Sequence, residues 1–143
     1  MTLLNSEFSF KGNILGFENL DKFTLSSISN TAFYQLNSIE DPNIQFVLIH
    51  PFDWLDNYEL KLNDNTLDSI DLSSAEDAIV MNIVTIKEPF SNSTVNYMAP
   101  LIMNVENGLA TQYVIQDASQ YSSHAPLITN DIGKGGDFNA STD

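Results

Sequence analysis

Apolar residues along this chain come in short runs rich in β-branched and aromatic side chains, bounded by turn residues. That pattern predicts strands in preference to helices. Phe8 and Phe10 alternate around Ser9, and Ile14–Phe17 follows the turn signal Gly12-Asn13. Phe23, Leu25 and Ile28 nearly alternate, with Ala32–Leu36 as the expected partner strand. After the break Asp41-Pro42-Asn43, Ile44 to His50 reads as a buried strand that Pro51 ends, because proline cannot donate to a ladder. Residues 53–57 are expected to make one helical turn, and Tyr58–Leu62 alternates strictly, as a half-buried strand does. A short helix follows over 63–72, capped by Asn63 or Asp64, and then a turn over 73–77.

Ile79 to Ile86 is the strongest strand signal and is apolar enough to be covered on both faces. Thr94 to Met103 is a further strand with a bulge or edge position at Pro100. Val105-Glu106-Asn107-Gly108 signals a hairpin with a type I′ turn, and Leu109–Ile115 is its returning strand. Residues 118–128 are expected to cover one end of the sheet. The elements imply an all-β, single-domain, β-barrel-like fold of short antiparallel strands with one or two short helices, spanning 1–128. The Gly-rich polar stretch 129–143 reads as a flexible tail.

Composition narrows the function. The 143 residues fit one domain, and 43% of them are hydrophobic, enough for a core. There are 19 acidic residues against five lysines and no arginine, a formal net charge of −14. Such a field repels nucleic acid and anionic membrane and steers basic proteins inward; it also simply favours solubility. No cysteine is present, which removes disulfides and thiolate chemistry and suits a reducing cytosol. The N-terminus has no basic, apolar leader pattern, and no stretch has the length of a membrane span, so a cytoplasmic location is expected.

Catalytic patterns are missing. His50 and His124 lack a second ligand at close spacing, and each reads as structural. Carboxylate pairs such as Asp53 with Asp56 or Asp68 with Asp71 are what chance provides in so acidic a chain. Asn63-Asp64-Asn65 with Asp68 lacks the Gly and terminal Glu of a calcium loop. No dinucleotide fingerprint, phosphate loop or nucleophile elbow occurs, so neither catalysis nor a cofactor is expected. The acidity is nevertheless localised. Asp53, Asp56, Glu59, Asp64, Asp68, Asp71, Glu76 and Asp77 face only Lys61, so 53–77 holds a net −7.

An ordered set of short motifs then resembles the FliW family of flagellar assembly factors. It comprises His50-Pro51-Phe52, Tyr58-Glu59-Leu60, Ser74-Ala75-Glu76-Asp77-Ala78, Thr85-Ile86-Lys87-Glu88-Pro89-Phe90 and Ser93–Asn104. Ile14–Glu18 resembles the family's "LPGF" element, with Leu15 in place of its proline, and Tyr121–Leu127 its "Y…HPL" end. The resemblance implies a non-enzymatic protein that binds flagellin and also binds the basic translational regulator CsrA, relieving repression of flagellin mRNA. It implies no membrane and no direct nucleic-acid partner, and a monomer when alone. Expected contacts to the regulator are the eight acidic residues of 53–77. Expected apolar contacts are Phe52, Trp54, Phe90 and Tyr97, with Trp54 the most open to solvent. A small acidic hydrolase or carbohydrate-binding domain is the alternative, and a purely structural acidic domain a third reading.

Overall fold

The computed structural model describes residues 6–117 and 120–129. Four antiparallel strands open the chain: β1 (Ser6–Ser9), β2 (Lys22–Ser27), β3 (Tyr34–Ser38) and β4 (Gln45–Ile49). The expected alternation is real in β2, where Phe23 and Leu25 are buried between more open neighbours. The run Ile14–Phe17 is turn, not strand. Its Ile14 still plugs the core. Gly12 earns its place there: its φ is +81°, and a Cβ would lie 2.6 Å from the Glu18 carbonyl oxygen.

Pro51 ends β4 and starts helix α1 (Pro51–Trp54), two residues earlier than the apolar pattern places it. Proline is pre-set for the first helical position. Helix α2 (Asp64–Ser69) is capped by Asn63, whose Oδ1 accepts from Thr66 N at 2.8 Å. A 3₁₀ turn (Ala75–Asp77) leads into β5 (Ala78–Thr85). Met81 and Asn82 point to opposite faces of β5 and both are fully buried, so this strand is covered on two sides as its sequence predicts.

The stretch expected as one strand over 94–103 is two: β6 (Thr94–Val95) and β7 (Leu101–Asn104). Asn96 Oδ1 accepts from the backbone N–H groups of Met98 and Ala99, a local turn that lifts 96–100 out of any ladder. β7 and β6 therefore flank different ends of β5. β8 (Ala110–Gln112) returns from the hairpin and is shorter than the apolar run 109–115. The hairpin loop is not type I′. Only Gly108 has positive φ, and its N–H bonds Asn104 O at 2.9 Å across a four-residue loop. β9 (Ala125–Pro126) pairs with β6 at the sheet end.

Tyr58–Leu62 departs most from expectation. Its side chains alternate in burial, but the segment joins no ladder. Burying Tyr58, Leu60 and Leu62 against their neighbours satisfies the apolar pattern without backbone pairing.

The sheet runs β1-β2-β3-β4-β5 and branches at β5 to β6-β9 and to β7-β8. It does not close fully. A single parallel bridge between Ser9 and Leu109, with Ser9 N donating to Gly108 O at 2.7 Å, seats β1 beside the β7–β8 hairpin. The barrel-like interior holds Phe8, Phe10, Phe23, Leu25, Leu36, Leu48, Met81 and Leu101. Phe10 meets Phe23 edge-on at 5.5 Å. Two smaller cores lie outside it: one around Ile49, Val84, Val95 and Leu127, the other under α2 around Ile70, Leu72 and Ile102. The domain is single. Apart from Thr129, the tail expected at 129–143 lies outside the described residues.

Candidate functional site

The acidic segment wraps from α1 to the start of β5, and all eight of its carboxylate residues are exposed. It divides into three groups. Asp64 and Asp68 are one turn apart on α2, and Asp71 follows just past its C-cap, with φ +54°. Like charges four residues apart repel, carboxylates near a helix C-terminus oppose its dipole, and the last turn carries no basic residue. Asp53 and Asp56 lie in and just after α1, and Glu76 and Asp77 in the 3₁₀ turn. Glu59 stands on the unpaired segment, where its N–H bonds Tyr121 Oη.

Two asparagines fix the end of α2. Asn104 is buried, and its Nδ2 donates to Ile70 O at 3.0 Å and Asp71 O at 3.2 Å. Asn107 Nδ2 also donates to Ile70 O, at 3.1 Å. Thus the β7–β8 hairpin, distant in sequence, holds the most acidic helix in place.

The second surface is aromatic. A recess of about 590 Å³ is lined by Trp54, Leu55, Tyr97, Tyr121 and the stretch 125–129; among the described residues its only lining carboxylate is Asp53. Phe33 packs against Trp54 at 5.7 Å and edge-on against Phe90 at 6.3 Å, so an aromatic row runs from the recess to open solvent.

The four apolar contact candidates do not share one environment. Phe52 is 53% exposed and Phe90 44%. Trp54 is only half-buried, so it is not the most open of the set; its contact with Phe33 covers one side. Tyr97 is 5% exposed and belongs to the core, with its ring 5.6 Å from that of Tyr58. Burial raises the pKa of its phenol.

Pattern reasoning missed the latch behind this recess. Tyr58 Oη donates to Tyr97 O at 2.6 Å, and fully buried Asn82 donates to Asn96 O at 2.8 Å. Burial pushes the Tyr58 phenol up to about 12. The raised value means the neutral form is preferred in the fold, so this stabilisation is complete below about pH 10 and is lost as pH rises through 12. Tyr121 packs at a tilt against Tyr58, ring centroids 4.6 Å apart. Its Oη accepts from Glu59 N at 2.8 Å and donates to Asn57 O at 3.2 Å. Nothing local in the sequence signals this bond across more than sixty residues. Tyr121→Phe is expected to cost about 1 kcal/mol in urea denaturation while keeping the ring contact, since only the two hydroxyl bonds go.

His50 packs edge-on against Tyr34, and His124 is exposed beside Ser123. Among the described residues no three His, Cys, Asp or Glu side chains are grouped to hold a metal ion, and no helix is long and apolar enough to cross a membrane.

The described residues thus form one antiparallel β domain that carries a solvated acidic helix and a separate aromatic recess. The family model described as "FliW protein" matches residues 4–127, and the chain belongs to that family. It is 36% identical over 128 residues to the flagellar assembly factor FliW of Clostridioides difficile (strain 630), covering 89% of this chain and 98% of that one. It is 35% identical over 116 residues to the protein of the same name from Bacillus subtilis (strain 168), covering 80% and 81%. A crystal structure of the flagellar assembly factor FliW superposes with a TM-score of 0.81 at 31% identity, covering 88% of each chain.

Proposed function

We propose that this chain acts in the cytoplasm as a partner switch, binding flagellin through its aromatic surface and a basic CsrA-type translational regulator through its acidic one. Release of flagellin frees the chain to sequester the regulator, and flagellin mRNA is then translated. The observation that supports this best is the segregation of the two chemistries. The carboxylates of α2 stand apart from the recess, where, among the described residues, Asp53 alone carries charge. An apolar surface suits a segment awaiting assembly, and an acidic one suits a basic RNA-binding protein.

The test is a pull-down with purified flagellin and, separately, with a CsrA-type protein. Binding of both at micromolar concentration and low salt is expected; binding of neither would sink the proposal. Within it, Phe90→Ser is expected to weaken flagellin about five- to tenfold, an ordinary loss for an exposed aromatic contact, and to leave the basic partner unaffected. No observation favours glycoside hydrolysis: among the described residues the recess has a single lining carboxylate where two are needed.

A further inference from the structure

We propose that the groove between β5 and the unpaired segment 58–62 is a strand-docking site, taking an extended segment of another protein that carries basic side chains among apolar ones. The inference stands independently of the flagellin and CsrA-type assignments. It begins with the edges of β5. Along one edge, β7 covers Ala78–Met81 and β6 covers Val84–Thr85. Along the other, β4 covers only Asn82–Val84, because Pro51 and α1 take the chain off the sheet.

Asn96 N donates to Ile83 O at 2.9 Å, so the backbone polar groups of Ile83 face β6. The two-residue period then turns those of Asn82 toward β4, and those of Ala78 and Val80 toward the same edge, past where β4 has ended. Among the described residues no β-partner occupies that stretch of edge. Leu60 and Leu62 pack near it with side chains alone. The remaining groove, about 320 Å³, is lined by His50, Phe52, Leu60, Leu62 and Glu76 beside the start of β5.

Three features therefore coincide: unpaired ladder groups, an apolar wall with an exposed phenylalanine, and a carboxylate at the rim. Strand addition uses the first for affinity and the side-chain pockets for specificity. An incoming strand would continue the row of β4, about 4.8 Å from β5, and pair over three or four residues. Charge selects the occupant. The walls belong to the segment with net −7, so a second copy of a chain at −14 is repelled, whereas lysine or arginine flanking an apolar side chain is attracted.

The probe is the capped peptide Lys-Val-Lys-Val-Lys-Val-Lys, titrated into the full chain and followed by amide chemical shifts and hydrogen exchange. Exchange at Ala78 and Val80 is expected to slow by about tenfold or more on saturation. The same peptide with glutamate for lysine should bind at least about tenfold more weakly. Of two peptides N-methylated on all valines or on all lysines, one should lose binding, because only one set of nitrogens faces β5. Ala78→Pro removes a donor at the first position of the strand, where proline is tolerated, and should weaken binding about fivefold or more. If that variant fails to melt cooperatively, Phe52→Ser at an exposed position gives the same reading. Binding without protection at Ala78 and Val80, equal binding of both methylated peptides, or no binding at millimolar peptide would overturn the proposal. Dimerisation of the chain with protection at this edge would overturn the occupant.

Discussion

Replacing Asp64, Asp68 and Asp71 together with lysine is expected to weaken binding of a basic CsrA-type partner by about two orders of magnitude at low salt. Each reversal exchanges an attraction for a repulsion, and about 1 kcal/mol per site is ordinary for exposed charges meeting a complementary field. Most of the loss should appear in the association rate, because the side chains are solvated and act chiefly by steering. It should shrink severalfold toward 0.5 M salt, where the screening length falls to roughly a few Å. Flagellin binding should change by less than about twofold, since exposed charges outside an interface contribute little. Surface plasmon resonance against both partners at two salt concentrations checks all of this. Equal loss for both partners would mean a shared surface or a damaged fold. All three side chains are exposed, so no core contact is lost; lysine suits the helix dipole at 68 and 71 but gives up a favourable carboxylate at 64 in the first turn, so cooperative melting of the variant is checked beside binding.

The largest effect on stability is expected at Asn104. Truncation to alanine strips the donor from Asp71 O, one of the two donors from Ile70 O (Asn107 Nδ2 remains) and the acceptor from Glu106 N at 3.0 Å, at a residue only 3% exposed. Stranding buried polar groups in this way costs about 2–4 kcal/mol in all. Asn104→Asp is the sharper variant. It keeps an acceptor for Glu106 N, but it cannot donate to the two carbonyls and sets a carboxylate against them. It should be no better than alanine, and both should speed amide exchange across 64–71 in urea-denaturation and hydrogen-exchange measurements. Wild-type stability in either variant would show that α2 is held by its apolar contacts and the Asn107 bond without Asn104.

Much of this was legible in the sequence because it depended on neighbours along the chain. Alternation around Phe23 and Leu25, the proline after His50 and the Asn63 cap each act within a few residues, and each is found in the fold. What depended on pairing across the sheet was not legible. Tyr58–Leu62 has the period of a strand, but which segment meets the β5 edge is decided by where β4 stops. Tyr97 and Phe52 look alike as aromatics beside polar residues. One lies under Tyr58 and the other stands open, and only tertiary packing separates them. The acidic cluster was readable as charge, while its division among a helix, an aromatic recess and a groove was not.

The bridge between Ser9 and Leu109 has a kinetic meaning as well as a geometric one. It joins positions 100 residues apart, since 109 less 9 spans most of the described chain. Bringing such distant points together before anything else has formed costs about 4 kcal/mol of loop entropy, with no compensating contacts. The hairpin of β7 and β8 and the meander from β1 to β4 need only short loops, so they should assemble first and leave this seam to be sewn last. A newly made chain whose final turn has yet to leave the ribosome would then already hold β1–β4, waiting for the segment that completes its wall.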